Sequence, residues 1–301
     1  MHYNLNYLKQ DENKEVNMRI AICGANSFVG THLSSSLVSN SHEVVRIGRE
    51  HFQDIEFLVD CLDGCDAVVN FCGEPFLKKW NELYKNKLYI SRIETTKKLV
   101  KAISLCQNKP RKIVIASSVK IYKEALEHDE FSKEYCTDYL ALLIKEYEQA
   151  AKEVEKLGIK AVILRFGYIL GLECGLIKEL KKLYKYGMGF IIGDGKQPLS
   201  WVHVDDVCEV VKISIQKEQI QGVYNIVSSE IVSMKTFTTR LGKYLKKPVF
   251  LKLPFKALKF FYAEGAENLI KGSFVTSSRF DEFEYKLSHE NLDEALDSLF
   301  R

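Results

Sequence analysis

Met18-Arg19-Ile20-Ala21-Ile22-Cys23-Gly24-Ala25-Asn26-Ser27-Phe28-Val29-Gly30 is the stretch that decides the fold. It begins as a short apolar run and opens into a helix-like segment from Phe28 to Val38, with a second strand at Glu43 to Ile47. Strand, tight glycine turn, helix and strand make a βαβ unit. Backbone N–H groups in such a turn, with the positive end of the helix behind them, can face a pyrophosphate. Gly24, Asn26, Ser27, Phe28, Val29 and Gly30 are therefore candidate dinucleotide contacts. A GxxGxxG loop would place a glycine at position 27, and Ser27 is expected to restrict the backbone there. Any tight βα connection wants glycine, so the end of the second strand has to decide. Ile47-Gly48-Arg49 lies where an acid would hold the ribose 2′-hydroxyl of NAD and an arginine would accept the 2′-phosphate of NADP. Arg49 thus points to NADP, with NAD possible; the alternative is a solvated arginine beside Glu50.

Working outward, Asp66 to Phe71 reads as a buried strand and Trp80 to Leu105 as a long amphipathic helix carrying Leu83, Leu88, Ile93, Leu99 and Ile103. Lys112 to Ala116 is the next strand. A helix from Glu134 to Lys156, closed by Gly158, hands over to Ala161-Val162-Ile163-Leu164. Strands and helices alternating in this way need right-handed crossovers in a parallel sheet. The fold class is α/β, a Rossmann-type doubly wound parallel sheet with a smaller C-terminal substrate lobe. Past Gly171 the alternation weakens into a Lys-rich helix (Leu176 to Tyr186), a Gly-rich turn (Gly187 to Gly195) and a helix-like segment from Asp205 to Gln216. The expected division is a flexible extension over 1–17, a nucleotide-binding domain over 18–170 plus about 200–228, and a lobe over 171–199 plus 229–301.

Composition narrows the function classes. A 301-residue chain that is 46% hydrophobic can bury a large core. With 43 basic against 40 acidic residues it projects no strong field toward nucleic acid or an anionic membrane. Eight scattered cysteines without a CxxC pair read as reduced thiols, not as a disulfide frame or zinc site, and no metal is expected. No apolar run is long enough to span a bilayer and the first seventeen residues are polar, which reads as cytoplasmic. Met18, directly before the first strand, leaves the start of translation open between Met1 and Met18. The expected partner is a small-molecule substrate, unidentified, with a possible homodimer through the two long helices.

A second set of motifs carries a resemblance. Asn70-Phe71-Cys72-Gly73-Glu74-Pro75, followed by Lys79-Trp80, Lys87, Ser91-Arg92-Ile93 and Thr95-Thr96, is similar to the N-x-x-G-E-P…W…SRI…T signature of bacterial epimerase family proteins. These belong to the extended short-chain dehydrogenase/reductase superfamily and pair a Rossmann domain with a C-terminal domain of unknown function. Leu164-Arg165 with Gly167, Leu170-Gly171, Gly193 to Gln197, Ser200 to Asp206 and Gly222 to Asn225 extend the match over nearly all of residues 18–301. The resemblance implies that Gly24, Phe28, Val29 and Gly30 line the pyrophosphate, Arg49 the 2′-phosphate and Cys72, Gly73 and Glu74 the adenosine side. Ser117, Ser118, Phe166 and Gly167 would lie near the nicotinamide. For Phe28, Val29, Phe71 and Phe166 plain core packing is the competing reading.

The catalytic set is incomplete. Ala116-Ser117-Ser118 with Ile121-Tyr122 resembles the superfamily's SSxxVY segment, which gives Ser118 the catalytic serine's place. The tyrosine and the lysine four residues on, which lowers its pKa, have Leu140 and Ile144 in their positions. Tyr139 sits one residue off and Lys145 six beyond it, not on one helical face. Tyr139 stands as the catalytic candidate beside Ser118, although a tyrosine without its lysine stays near pKa 10. Tyr122 and His203 are substitutes or else a packed aromatic and a satisfied histidine; Trp201 and His203 are expected to border the substrate cleft with the Gly187 to Gly195 turn. Two functions follow: an NADP(H)-dependent oxidoreductase or epimerase for a nucleotide-sugar-like or other small polar substrate, or a non-catalytic NADP(H)-binding or sensing protein. A scaffold that has lost the cofactor is the third.

Overall fold

The computed structural model describes residues 17–185 and 187–301, so the expected N-terminal extension falls, but for Asn17, outside the described residues. Six strands form the central sheet: β1 (Arg19–Cys23), β2 (Glu43–Ile47), β3 (Ala67–Asn70), β4 (Lys112–Ser118), β5 (Lys160–Phe166) and β6 (Gly222–Ile226). They lie in the order β6-β5-β4-β3-β1-β2, every pair parallel. Strand side chains alternate between two covered faces. Ile20, Ile22 and Val114 join one core with Leu33, Leu37 and Val210, while Ala21, Cys23 and Ile113 join the other with Leu58, Leu99 and Ile103. Burial on both faces is why these strands read as continuous apolar runs in the sequence.

Helix boundaries follow their caps. α1 (Phe28–Ser39) is capped by Ser27. α2 (Ile55–Leu62), absent from the sequence reading, is capped by Asp54 and buries only Leu58 and Leu62, too short an apolar pattern to stand out. The long helix runs as α3 (Glu82–Tyr89) and α4 (Thr95–Leu105), joined through a π-turn over Ile90–Glu94. It begins at Glu82 because Asn81 Oδ1 accepts the Tyr84 N–H at 2.8 Å, whereas Trp80 donates its N–H to Tyr262. α5 (Tyr139–Lys152) starts five residues later than the expected Glu134: Asp138 caps it, and Cys136 bonds Ile121 instead of a helical neighbour. Gly158 closes the following 3₁₀ turn at φ +76°, as expected. α6 (Gly175–Tyr184) and α7 (Val204–Gln216) complete the elements around the site.

A third core gathers Leu170, Leu176, Leu180, Trp201, Phe237 and Leu296. Residues beyond 229 do not all stay there. Val275 packs into one core of the sheet and Phe283 into the other, the latter edge-on to Tyr224 at 4.9 Å between ring centres. Among the described residues no helix is long and apolar enough to cross a membrane, and the eight cysteines are free thiols.

Candidate functional site

The sheet order reverses between β1 and β3, and a crevice opens at their carboxyl ends, where open α/β sheets bind ligands. Gly24, at φ +79°, packs so closely that a Cβ would stand 3.0 Å from the Phe71 carbonyl carbon. At Gly30 a Cβ would collide with the Gly24 carbonyl oxygen. Ser27 corrects the expectation placed on it. Its φ of −71° is ordinary extended backbone, and its Oγ accepts the Gly30 N–H at 3.0 Å, so it caps α1 without closing the loop. No acceptor among the described residues takes the N–H of Phe28 or Val29, and both residues line the cleft. Asn26 does not reach the cleft; its Oδ1 accepts from Arg46 Nη2 at 3.2 Å, and the same nitrogen bonds the Ala25 carbonyl at 3.0 Å. The sequence reading passed over Arg46, whose signal was a charge between the apolar Val45 and Ile47 of the strand. Arg49 opens the 3₁₀ turn after β2, is 90% exposed at its side chain and pairs with Glu74 Oε1 at 2.7 Å.

The Asn70 to Pro75 signature is a clamp between β3 and the long helix. Asn70 Oδ1 accepts the Cys72 N–H and its Nδ2 donates to Thr96, both at 3.0 Å. Ser91 Oγ accepts the Glu74 N–H at 3.0 Å, Arg92 Nη2 donates to the Glu74 carbonyl at 2.9 Å, and Tyr84 holds the Pro75 carbonyl at 2.7 Å. Cys72, Gly73 and Glu74 thereby form one wall of the cleft, with Arg92 in it.

Ser118 lines the other end, its Oγ accepting the Lys120 N–H at 3.2 Å. Ser117 also lines the cleft, but its hydroxyl donates to Glu148, whose carboxylate takes Arg165 Nε and Nη2 at 2.8 and 2.7 Å. Phe166 and Gly167 border the same space; a Cβ on Gly167 would meet the Ser200 carbonyl carbon at 2.8 Å. Leu140 faces the cleft in the place of the superfamily's tyrosine. Tyr139 does not reach it: the hydroxyl donates to the Lys85 carbonyl at 2.7 Å and the ring lies edge-on to Trp80. Tyr122 is buried, donating to Asn225 and accepting from Arg165, both at 2.9 Å, and burial pushes its pKa up. It is no base for this cleft.

Trp201 and His203 also depart from expectation. Trp201 is enclosed in the third core with Nε1 on the Glu230 carbonyl, and His203 is buried with Nδ1 accepting the Asp205 N–H. Burial, then the neighbouring His289, push the His203 pKa down to about 4. His203, Asp205 and His289 each bring a ligand atom within 4.8 Å of the others. The two imidazoles, however, stack at 3.8 Å and 30°, so their lone pairs run side by side instead of converging on an ion. Gly187, Gly193 and Gly195 are positive-φ turn residues that do not line the cleft. Tyr168, Gly175 and Asn268 close the cleft instead. Lys120 Nζ ties them down, bonding the Asn268 and Lys271 carbonyls at 3.0 and 2.7 Å. The cleft encloses about 370 Å³ between largely apolar walls.

Comparison with known proteins agrees with this geometry. A family model described as "NAD dependent epimerase/dehydratase family" matches residues 20–227. The epimerase family protein SDR39U1 of Bos taurus is 30% identical over 290 residues, covering 93% of this chain and 98% of that protein. YfhF of Bacillus subtilis, an epimerase family protein, is 27% identical over 298 residues, covering 94% and 98%. The crystal structure of human SDR39U1 (isoform 2) with NADPH superposes with a TM-score of 0.85 at 28% identity, covering 94% of this chain and 99% of that one.

Proposed function

The chain belongs to the NAD dependent epimerase/dehydratase family, and from that membership we propose that it binds NADP(H) in this cleft and exchanges hydride with a small substrate held at Ser118. The observation that carries the reading is the pair of unclaimed N–H groups, Phe28 and Val29, on the first turn of α1, with Gly24 and Gly30 keeping the backbone clear of a pyrophosphate. The similar human protein carries NADPH. Arg49 suits a 2′-phosphate: its exposed pairing with Glu74 is worth only about 0.2–1 kcal/mol and is readily exchanged. The bound nicotinamide would supply the hydride at its C4 position. Ser118 would orient the substrate's carbonyl or hydroxyl, Lys120 and Tyr168 would hold the lobe over it, and Leu140 and Phe166 would keep water out.

Leu140 narrows the chemistry. Epimerisation by transient oxidation needs a base that takes and returns a hydroxyl proton, and tyrosine is missing from the cleft position that supplies it. Simple reduction tolerates its absence better. The same observation favours a second reading, a protein that binds NADP(H) without turnover and signals its state through the lobe. Titration of the purified chain with NADPH and NADH, followed by nicotinamide emission, tests the shared premise. Micromolar NADPH binding with weaker NADH is expected; no binding of either sinks both readings. Turnover of any carbonyl substrate that disappears in Ser118→Ala then selects the first.

A further inference from the structure

Charge and apolar surface gather on one segment of the chain outside the cleft. Between Ile231 and Ala263 stand eight lysines and arginines and no acid, although the whole chain carries a net charge of only +3. The near balance of the composition therefore hides a local excess, and the remainder of the molecule is net negative. The segment folds as α8 (Met234–Tyr244), the strand β7 (Val249–Leu253) and α9 (Phe255–Tyr262). Arg240 is taken by Glu230 and Asp293, at 3.0 and 3.5 Å. Lys243, Lys246, Lys252, Lys256 and Lys259 are exposed, and none of the five has a carboxylate oxygen within 4.0 Å among the described residues. Glu264, the first acid beyond them, is held by Lys85 at 2.5 Å.

The apolar side chains of the same segment are left uncovered. Phe255, Leu258 and Tyr262 turn α9 toward the third core, and Phe260 and Phe261 stay 75% and 58% exposed, edge-on to each other at 5.4 Å between ring centres. A helix that is apolar on both faces ordinarily buries both. Phe250 is 64% exposed beside the exposed Leu251, where a register shift interrupts the pairing of β7 with the strand Gly189–Ile192. Pro254 joins β7 directly to α9, so these four side chains share the stretch 250–261, and a grouping of this kind marks an interaction surface. None of them lines the cleft.

We propose that this face docks on an anionic lipid bilayer, with Phe250, Phe260 and Phe261 entering the boundary between headgroups and acyl chains and the lysines reaching the anionic headgroups. Three features select that occupant. Lysines beside exposed aromatic and aliphatic side chains are the arrangement of helices that lie in a membrane interface, and lysine stems can follow the apolar layer while their ammonium ends stay among the headgroups. The five exposed cations are all lysine, compact point charges suited to a fluid array of headgroups, whereas a fixed phosphate or a base edge favours the arginine fork. A second copy of this chain would have to bring two such cationic faces together, and like charges oppose that. The contact lies on the bilayer and needs no spanning helix.

Flotation of the full-length chain with vesicles of about one part phosphatidylserine to three of phosphatidylcholine, compared with pure phosphatidylcholine, tests the proposal. Binding to the anionic vesicles alone, falling as salt rises, is expected. Each neutralised lysine should cost about fivefold in partitioning, so Lys256→Gln combined with Lys259→Gln should lower it about 20- to 30-fold. Phe260→Ser combined with Phe261→Ser should lower it at least about tenfold, and the urea midpoint should hold because both rings are exposed. Either pair carries the test should the other fail to fold. No flotation with anionic vesicles at low salt overturns the proposal, as does flotation that both double variants retain. A dimer in size-exclusion chromatography that the phenylalanine pair dissolves would give the face to a second copy. Tight binding of polyglutamate or of single-stranded oligothymidylate that vesicles fail to displace would give it to an acidic macromolecule; each of these results also overturns the proposal.

Discussion

Ser118 and Tyr139 separate at the residue scale. One hydroxyl faces the cleft and the other is tied to the Lys85 carbonyl outside it. Tyr139→Phe should therefore cost about 1 kcal/mol of stability through the lost hydrogen bond and leave NADPH affinity and any turnover within twofold. Ser118→Ala should abolish turnover at unchanged NADPH affinity; steady-state kinetics with fluorescence titration checks both, and loss of activity in Tyr139→Phe would return that tyrosine to the mechanism. His203 illustrates a residue whose chemistry is structural. Its folded pKa, about 4, lies below the 6.5 of an unfolded histidine, so between those values the unfolded chain binds the extra proton. Stability present above pH 6.5 is lost as pH falls toward 4, on the order of 3 kcal/mol for this group. His203→Asn, which retains a capping side chain, should flatten that limb of the urea-midpoint profile. A limb of unchanged slope would show that other groups drive it.

At the scale of elements, caps account for most differences between what could be read and what folded. The strands were legible because burial on both faces leaves continuous apolar runs, and Gly158 was legible because a helix end at positive φ favours glycine. The start of α5 was not: apolar periodicity extends back toward Glu134, and only the choice of Asp138 over its neighbours as cap sets the boundary. The places of the loop glycines at the turn and of Ser118 at the cleft were legible from their positions in the chain. The commitment of His203 and Trp201 to packing could not, because their partners His289 and Glu230 lie 86 and 29 residues away along the sequence. Arg92 stood in the signature without a role, since only the fold shows Glu74 giving it a carbonyl and giving Arg49 the carboxylate. Ser27 yields a test of the loop itself. Ser27→Gly recreates the third glycine of a GxxGxxG loop at a position whose φ of −71° does not need one. NADPH affinity should stay within about threefold, and stability should fall by a few tenths of a kcal/mol as the cap is lost. A tenfold gain in affinity would mean that the serine obstructs the pyrophosphate after all.

Across the whole molecule the placement of buried charge separates what the fold needs for itself from what it holds ready for a ligand. Glu148 and Arg165 join α5 to β5, and through Tyr122 and Asn225 the network reaches β6, the far edge of the sheet. Removing one partner leaves the other charged and uncompensated in the core. Glu148→Gln should cost about 3–5 kcal/mol in urea unfolding, and the double replacement Glu148→Leu with Arg165→Met should recover a large part of it. Arg92 predicts the opposite sign of behaviour. In the ligand-free protein the half-buried Arg92 has no carboxylate partner among the described residues, so Arg92→Gln removes a partly desolvated charge along with one bond to the Glu74 carbonyl. Its unfolding free energy from urea titration should lie within about 1 kcal/mol of wild type. The difference should emerge when ligand is added: saturating NADPH raises the wild-type midpoint in proportion to the logarithm of its concentration, and the variant should gain less if Arg92 meets the pyrophosphate. If Arg92→Gln instead destabilises the ligand-free chain as severely as Glu148→Gln, Arg92 is part of the structural network and its Nη1, which has no partner among the described residues, carries no message about a ligand.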